Sequence, residues 1–153
     1  LDLGKADLSA AMDQIPLKDR RRFVNATLKV HGYEELHRAG LARVIGAIRP
    51  ETGLFVLEEG EEPVATAICV HDSDLAGLFE IATRPSLRGK GFGRRVLLSA
   101  LKWAQSHGAE RAWLQVEADN GVALRLYRAL GFKEIYSYHY RQPGPPADTE
   151  RNA

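Results

Sequence analysis

A glycine-rich and arginine-rich decapeptide, RPSLRGKGFG at Arg84–Gly93, constrains the fold of this chain more than any other segment. It follows an apolar run at 78–82 that is typical of a strand, and it precedes a run at 94–107 with helical apolar spacing. Its glycines allow close approach of the backbone to a ligand, because they carry no Cβ. A helix that begins after such a loop directs unpaired N–H groups at the same place. We therefore expect this segment to bind a pyrophosphate, assisted by the cations of Arg88, Lys90, Arg94 and Arg95.

Two familiar phosphate-binding loops do not match this segment. A P-loop requires Gly-x4-Gly-Lys-Ser/Thr, and a dinucleotide-binding fold requires G-x-G-x-x-G near the first strand. Here the spacing is G-x-G-x-G, and it occurs late in the chain. The pattern Arg-x-x-Gly-x-Gly at Arg88–Gly93 instead resembles the pyrophosphate loop of the GNAT superfamily, the GCN5-related N-acetyltransferases. The structural alternative is a glycine-rich turn with scattered surface arginines.

A second segment, LQVEADNGVALRLYRALGF at 114–132, is similar to the segment that follows the fifth strand of GNAT enzymes. One amphipathic helix and one strand separate the two motifs, as they do in the family. The matching positions are Asn120, Ala123, Leu126-Tyr127 and Gly131-Phe132. On these two motifs the chain is identified as a member of the GNAT superfamily.

The composition is that of an ordinary globular protein. A length of 153 residues, with 44% hydrophobic and 27% charged residues, suits one domain with a core. The net charge of +1 provides no basic excess for nucleic-acid binding. The single cysteine, Cys69, can form no internal disulfide and supplies no metal cluster. With neither a signal peptide nor a membrane-length apolar run visible, we expect a cytoplasmic protein without metal, nucleic-acid or membrane partners.

Apolar periodicity and turn residues predict an alternation of helices and strands. Helices are predicted at 7–14, 19–30, 33–48, 94–107 and 121–130. Strands are predicted at 54–58, 64–71, 75–83, 111–117 and 132–141. In the last strand, alternation would place Tyr136, Tyr138 and Tyr140 on one face.

The resemblance implies an α/β fold with a mixed, mostly antiparallel sheet of about six strands, flanked by helices and splayed between two central strands. Residues 1–141 would form one domain and 142–153 a proline-containing tail. Leu1–Leu3 matches the first strand of the family poorly, and without that strand one sheet edge would be unpaired. The chain begins with Leu1 rather than Met, which is compatible with the C-terminal part of a longer protein. An upstream domain would cover the edge, and a homodimer is also compatible with the resemblance.

The resemblance also implies acetyl-CoA as the cofactor and assigns its contacts. Backbone N–H groups of the loop would face the pyrophosphate. Backbone groups of the preceding strand would bind the pantetheine arm, and an N–H near Ile81 would stabilise the oxyanion. The cofactor-binding residues implied in this way are Ile81, Ala82, Thr83, Arg88, Gly89, Lys90, Gly91, Phe92, Gly93, Arg94, Asn120 and Tyr127.

Tyr127 is the candidate general acid, because a phenol with a pKa near 10 can protonate the departing thiolate. The alternative for Tyr127 is a core aromatic residue, and Asn120 is also a candidate helix cap. The general base is left open between Glu80 and Glu117. Some amino-terminal acetyltransferases of the family place a glutamate where this chain has Gln115, so that assignment does not carry over.

These features together predict an N-acetyltransferase that moves an acetyl group from acetyl-CoA to a primary amine within a ternary complex. The acceptor would be a small molecule or a peptide, recognised by residues 31–35 and by the tyrosines at 136–140. The alternatives are a non-catalytic acyl-CoA-binding regulatory module, or an acyltransferase with another acyl chain or a hydroxyl acceptor.

Overall fold

The computed structural model describes residues 1–141, and the predicted tail at 142–153 lies outside the described residues. A four-stranded mixed sheet carries helices on both faces. The strands are β1 (Glu51–Glu59), β2 (Glu62–Asp72), β3 (Leu75–Thr83) and β4 (Arg111–Leu114). The helices are α1 (Arg20–His31), α2 (Arg38–Ala47), α3 (Phe92–Ser106) and α4 (Gly121–Ala129), with 3₁₀ turns at Glu35–His37 and Pro85–Leu87. Within 1–141, no helix combines the length and the apolar character needed to cross a membrane.

The sheet confirms the predicted fold class, with fewer strands than expected. Its order is β1-β2-β3-β4, in which the first three strands are antiparallel and β4 runs parallel to β3. Only Leu75–Leu78 of β3 pairs with β4, which ends at Leu114 rather than at the predicted Glu117. From Phe79 onward β3 continues without a β4 partner. The splayed central pair therefore opens at the carboxyl ends of these two strands.

Alternating side chains divide the core into two layers. Helix α1 packs on one face, where Phe23 and Val24 join Leu54 and Ile68 in one buried cluster. Helices α3 and α4 lie on the other face, where their apolar residues join Phe55, Ala67 and Leu78. The residues of α3 and α4 in this cluster include Val96, Leu97, Leu101 and Tyr127.

Helix α1 begins and ends within one residue of the bounds predicted from the sequence. The Asp19 side chain accepts hydrogen bonds from the N–H groups of Arg21 and Arg22 at 2.9 and 3.1 Å. Gly32 follows the last turn with a φ of 72°, and its N–H donates to the carbonyl of Leu28. These two ends fix the orientation of His31, the last residue of the helix.

The helix predicted at 7–14 is wrong, because local side-chain bonds compete with it. The Asp7 carboxylate accepts from the N–H and the hydroxyl of Ser9 at 3.0 and 2.6 Å, which favours a turn. Further on, the chain follows the outer edge of β1. The Leu17 N–H donates to the Leu54 carbonyl at 2.7 Å, and the Gln14 amide donates to the Val56 carbonyl at 2.5 Å. The edge expected to be unpaired is therefore partly covered from within this chain.

The strand predicted at 132–141 is also wrong. Leu1–Leu3 already lies along the outer edge of β4, with the Leu3 N–H donating to the Glu110 carbonyl at 2.8 Å. Residues 132–141 therefore find no strand partner among the described residues, and Tyr136 and Tyr140 are 73% and 86% exposed. These tyrosines contact Tyr138 instead of packing a sheet face.

Candidate active site

A β-bulge interrupts β3 where it separates from β4. Thr66 pairs with Ala82 and Ile68 pairs with Phe79, so Ala67 lies opposite two residues, Glu80 and Ile81. Glu80 adopts a φ of 48°, a left-handed conformation that is unfavourable for a residue with a Cβ. The buried Thr66 hydroxyl donates to the Glu80 carbonyl at 3.1 Å. The bulge is thus held by the neighbouring strand, and bulges and strained residues of this kind recur at functional sites.

The last three residues of β3 line the open end of the sheet. Ile81, Ala82 and Thr83 are half-buried, and Ala82 and Thr83 keep their pairing with β2. A strand in the middle of a sheet bonds to both neighbours, but here β4 has already ended. Backbone groups on that side of β3 are therefore available to an extended ligand in the cleft.

The glycine-rich loop leads into α3 through two left-handed glycines and leaves the start of the helix without a side-chain cap from residues 1–141. Gly89 and Gly91 have φ angles of 78° and 82°, which disfavour any residue with a Cβ. Gly91 is the N-cap of α3, and no side chain among the described residues caps that end. The first α3 residue whose N–H reaches an intrahelical carbonyl is Arg95, which donates to Gly91 at 3.0 Å. The preceding N–H groups therefore remain open to an anion.

Gly93 joins the two sequence motifs in space. A Cβ at Gly93 would lie 3.0 Å from the Thr83 hydroxyl and 3.9 Å from a methyl group of Leu126. The end of β3, the first turn of α3 and the middle of α4 therefore meet at this glycine. The helix that carries Tyr127 therefore packs beside the glycine-rich loop.

The cations around the loop fall into two groups. Arg95 pairs with Glu59 at 3.6 Å and lies over the Phe92 ring at 5.5 Å, so its contacts are structural. Among residues 1–141, Arg88, Lys90 and Arg94 have no ion-pair partner within 4.0 Å and are exposed. These three side chains can screen the charge of a bound phosphate.

Helix α4 presents the two remaining candidates of the second motif. Asn120 caps the helix, because its side-chain oxygen accepts from the Ala123 N–H at 3.1 Å. Tyr127 is 8% exposed, and its ring packs edge-on against Phe132 at 5.9 Å. Burial raises the pKa of Tyr127 above its usual value, so the phenol stays protonated at neutral pH. Its hydroxyl has no hydrogen-bond partner among the described residues.

The two candidate bases differ sharply in environment. The Glu80 carboxylate is half-buried at the bulge, with its Oε2 3.2 Å from Nε2 of His31. Glu117 is exposed in the connection between β4 and α4, beyond the end of the strand on which it was predicted. Of the two residues, only Glu80 is fixed by contacts with neighbouring elements, through His31 and Thr66.

Sequence reasoning missed the partnership of His31 with Glu80. The two residues are far apart in the chain, and the helix predicted at 19–30 stopped one residue before His31. The Gly32 stop after α1 was the available signal, because it places His31 at the end of the helix. Nothing in the sequence indicates that this end lies against the bulge.

The comparisons with known proteins assign the class. A sequence model of the Acetyltransferase (GNAT) family matches residues 18–132, which include both motifs and the whole sheet. The chain belongs to the GNAT acetyltransferase family. Members of this family use acetyl-CoA as the acetyl donor.

Individual relatives agree with this assignment. The chain is 29% identical over 119 residues to the uncharacterised N-acetyltransferase YobR of Bacillus subtilis, covering 78% of this chain and 48% of YobR. It is 36% identical over 80 residues to the [ribosomal protein bS18]-alanine N-acetyltransferase of Escherichia coli, covering 52% and 54% of the two chains. The chain thus spans about half the length of these relatives.

Solved structures show the same fold. The E. coli ribosomal-protein-S18-alanine N-acetyltransferase superposes with a TM-score of 0.57 and 31% identity, covering 62% of each chain. The aminoglycoside acetyltransferase AAC(6')-Iy, solved with the bisubstrate analogue CoA-S-monomethyl-acetylneamine, gives a TM-score of 0.64 with 16% identity. That alignment covers 83% of this chain and 94% of AAC(6')-Iy.

Proposed function

We propose that this protein transfers the acetyl group of acetyl-CoA to a primary amine. The observation that carries the proposal is the meeting of three elements at Gly93, where an uncapped helix start, the open end of β3 and the Tyr127 helix adjoin. Such an arrangement would offer a phosphate-binding helix start, a free strand edge and a proton donor on adjoining elements. We also propose a cytoplasmic setting, in which the buried Cys69 remains a thiol; burial raises its pKa to about 12.

The loop and the end of β3 would hold the donor. The open N–H groups at the start of α3, with Arg88, Lys90 and Arg94 nearby, would bind the pyrophosphate. Backbone groups of Ile81, Ala82 and Thr83 would bind the pantetheine arm, and Asn120 would contact it from α4. Holding the donor and the acceptor together would supply much of the rate acceleration.

The chemistry would proceed directly in a ternary complex. The bulge reorients the backbone at Ile81, whose N–H would stabilise the oxyanion that forms on the acetyl carbonyl. The amine nitrogen bonds to the carbonyl carbon as the carbon–sulfur bond breaks. The Tyr127 hydroxyl then protonates the thiolate. Glu80 would remove the proton of the incoming amine, with the exposed Glu117 as the alternative base.

An acceptor screen tests this function. The purified chain is supplied with acetyl-CoA and a panel of amines, and release of the free thiol is followed over time. The panel contains a peptide with an N-terminal alanine, an aminoglycoside and free lysine, the first two prompted by the relatives' substrates. We expect saturable turnover with at least one amine and a decrease of about 100-fold in the E80Q variant.

The E117Q variant is the matched control for this screen. If E117Q loses activity and E80Q keeps it, Glu117 is the base. Binding of acetyl-CoA with no turnover on any amine would contradict the proposal and favour a regulatory acyl-CoA-binding module.

A further inference from the structure

Two buried polar atoms face each other at the bulge. His31 Nε2 at the end of α1 lies 3.2 Å from Glu80 Oε2 on β3. Both atoms are inaccessible to solvent, and neither makes a regular hydrogen bond to any other group among the described residues. Unpaired buried polar atoms are costly, so each depends on the other for compensation.

Burial favours the neutral form of the His31 imidazole. Burial lowers the pKa of His31, while the charge and the backbone of Glu80 act in the opposite direction. Tyr33 stacks on the His31 ring with centroids 4.5 Å apart, and its own pKa is raised by burial and by Glu80. A neutral imidazole beside a carboxylate gives the pair a charge of −1, and one added proton makes it neutral.

Four other cations on or next to the packed elements are paired elsewhere. Lys29 of α1 and Arg84, which follows β3, both contact Glu62 of β2, at 3.8 and 2.8 Å. Arg22 of α1 pairs with Glu58 of β1 at 2.9 Å, and Arg38 of α2 pairs with Glu35 of the 3₁₀ turn. The His37 ring lies 5.5 Å from the Tyr33 ring, and its Nδ1 lies 3.2 Å from the Glu34 carbonyl oxygen. Among the described residues, Glu80 is therefore the charged group that lies against His31.

We propose that His31 and Glu80 act as one proton-accepting pair, in which His31 is a positioning residue that fixes the carboxylate and shares the proton. This inference rests on the proposed acetyl transfer. The ammonium of the acceptor gives one proton to the Glu80 carboxylate, and that proton is shared with Nε2 of His31. The freed amine forms the carbon–nitrogen bond as the carbon–sulfur bond breaks, and Tyr127 supplies the proton of the thiol. The second proton of the amine nitrogen passes to solvent as the amide forms. Solvent later removes the proton from the pair and restores Tyr127.

Nuclear magnetic resonance tests the coupling without any acceptor. The ring signals of His31 are followed against pH in the full chain and are assigned by their loss in H31Q. We expect E80Q to lower the pKa of His31, because the desolvated ring loses the carboxylate that lies 3.2 Å from its Nε2. In the control H37Q the pKa of His31 should stay the same. An unchanged pKa of His31 in E80Q would overturn the proposal.

The pH profile of kcat/KM tests the catalytic role with the best amine from the screen. H31Q should lower kcat about tenfold at neutral pH and move the acidic limb of the profile to lower pH, because Glu80 alone binds the proton less tightly. H37Q should match the wild type. A merely structural histidine would lower the rate without moving the limb, and that result would overturn the pair. If the wild type turns over no amine, the proposed acetyl transfer itself is wrong. If H31Q keeps the wild-type rate and the wild-type acidic limb, acetyl transfer stands and only the proposed role of the His31–Glu80 pair is wrong.

Discussion

Replacement of Tyr127 by phenylalanine is expected to lower kcat for acetyl transfer by about 100-fold or more, with the Kd for acetyl-CoA unchanged. The ring of Tyr127 is buried against Phe132, and phenylalanine preserves that contact. The hydroxyl is removed, and with it the proton donor for the thiolate. Stopped-flow or steady-state assays of thiol release measure kcat, and calorimetry measures Kd.

Thermal unfolding of the same variant provides the control. Because the Tyr127 hydroxyl bonds to no described residue, Y127F should unfold at nearly the wild-type temperature. An unchanged kcat in a folded, acetyl-CoA-binding Y127F protein would mean that Tyr127 serves only the core and that water protonates the thiolate.

Substitution of Gly91 by valine is expected to raise the Kd for acetyl-CoA about tenfold or more, which corresponds to ~1.4 kcal/mol of binding free energy. Gly91 caps α3 with a φ of 82°, where a Cβ costs about 1–2 kcal/mol. No atom of residues 1–141 lies within 4 Å of a Cβ built there, so the variant has room to fold. Relief of the backbone strain would turn the N–H groups away from the phosphate, and a branched side chain would occupy its approach.

Gly108 provides the matched control for that experiment. It follows α3 at the opposite end, has a φ of 98° and also leaves a built Cβ free of contacts within 4 Å. G108V should lose similar stability in thermal unfolding but keep the wild-type Kd. Equal Kd values for G91V, G108V and the wild type would remove the loop from the binding site.

The sequence predicted those elements whose signals are local. Asp19 and Gly32 mark the ends of α1, and strand β3 is predicted residue for residue at 75–83. The strand at 132–141 was wrong for a non-local reason, because its alternating tyrosines need a sheet edge that Leu1–Leu3 occupies. The helix at 7–14 failed because the Asp7–Ser9 bonds and the edge of β1 outcompete a weak helical pattern.

In the candidate site, too, the sequence predicts the features that depend on local signals and misses those that depend on distant contacts. The glycine loop and the Asn120 cap follow from short motifs, since their roles depend on backbone conformation near each residue. The bulge at Glu80 depends on the register between β2 and β3, and the His31 contact depends on how α1 packs on the sheet. Neither relation leaves a mark within a short stretch of sequence.

Calorimetric titration of the wild-type chain with acetyl-CoA tests the central claim most directly, with desulfo-CoA and ATP as parallel ligands. We expect saturable binding of one acetyl-CoA per chain and of desulfo-CoA, because the loop and the end of β3 would contact parts that these two ligands share. ATP, which lacks the pantetheine arm, should bind far more weakly. Absence of acetyl-CoA binding by the folded protein, or equal affinity for ATP, would contradict the account.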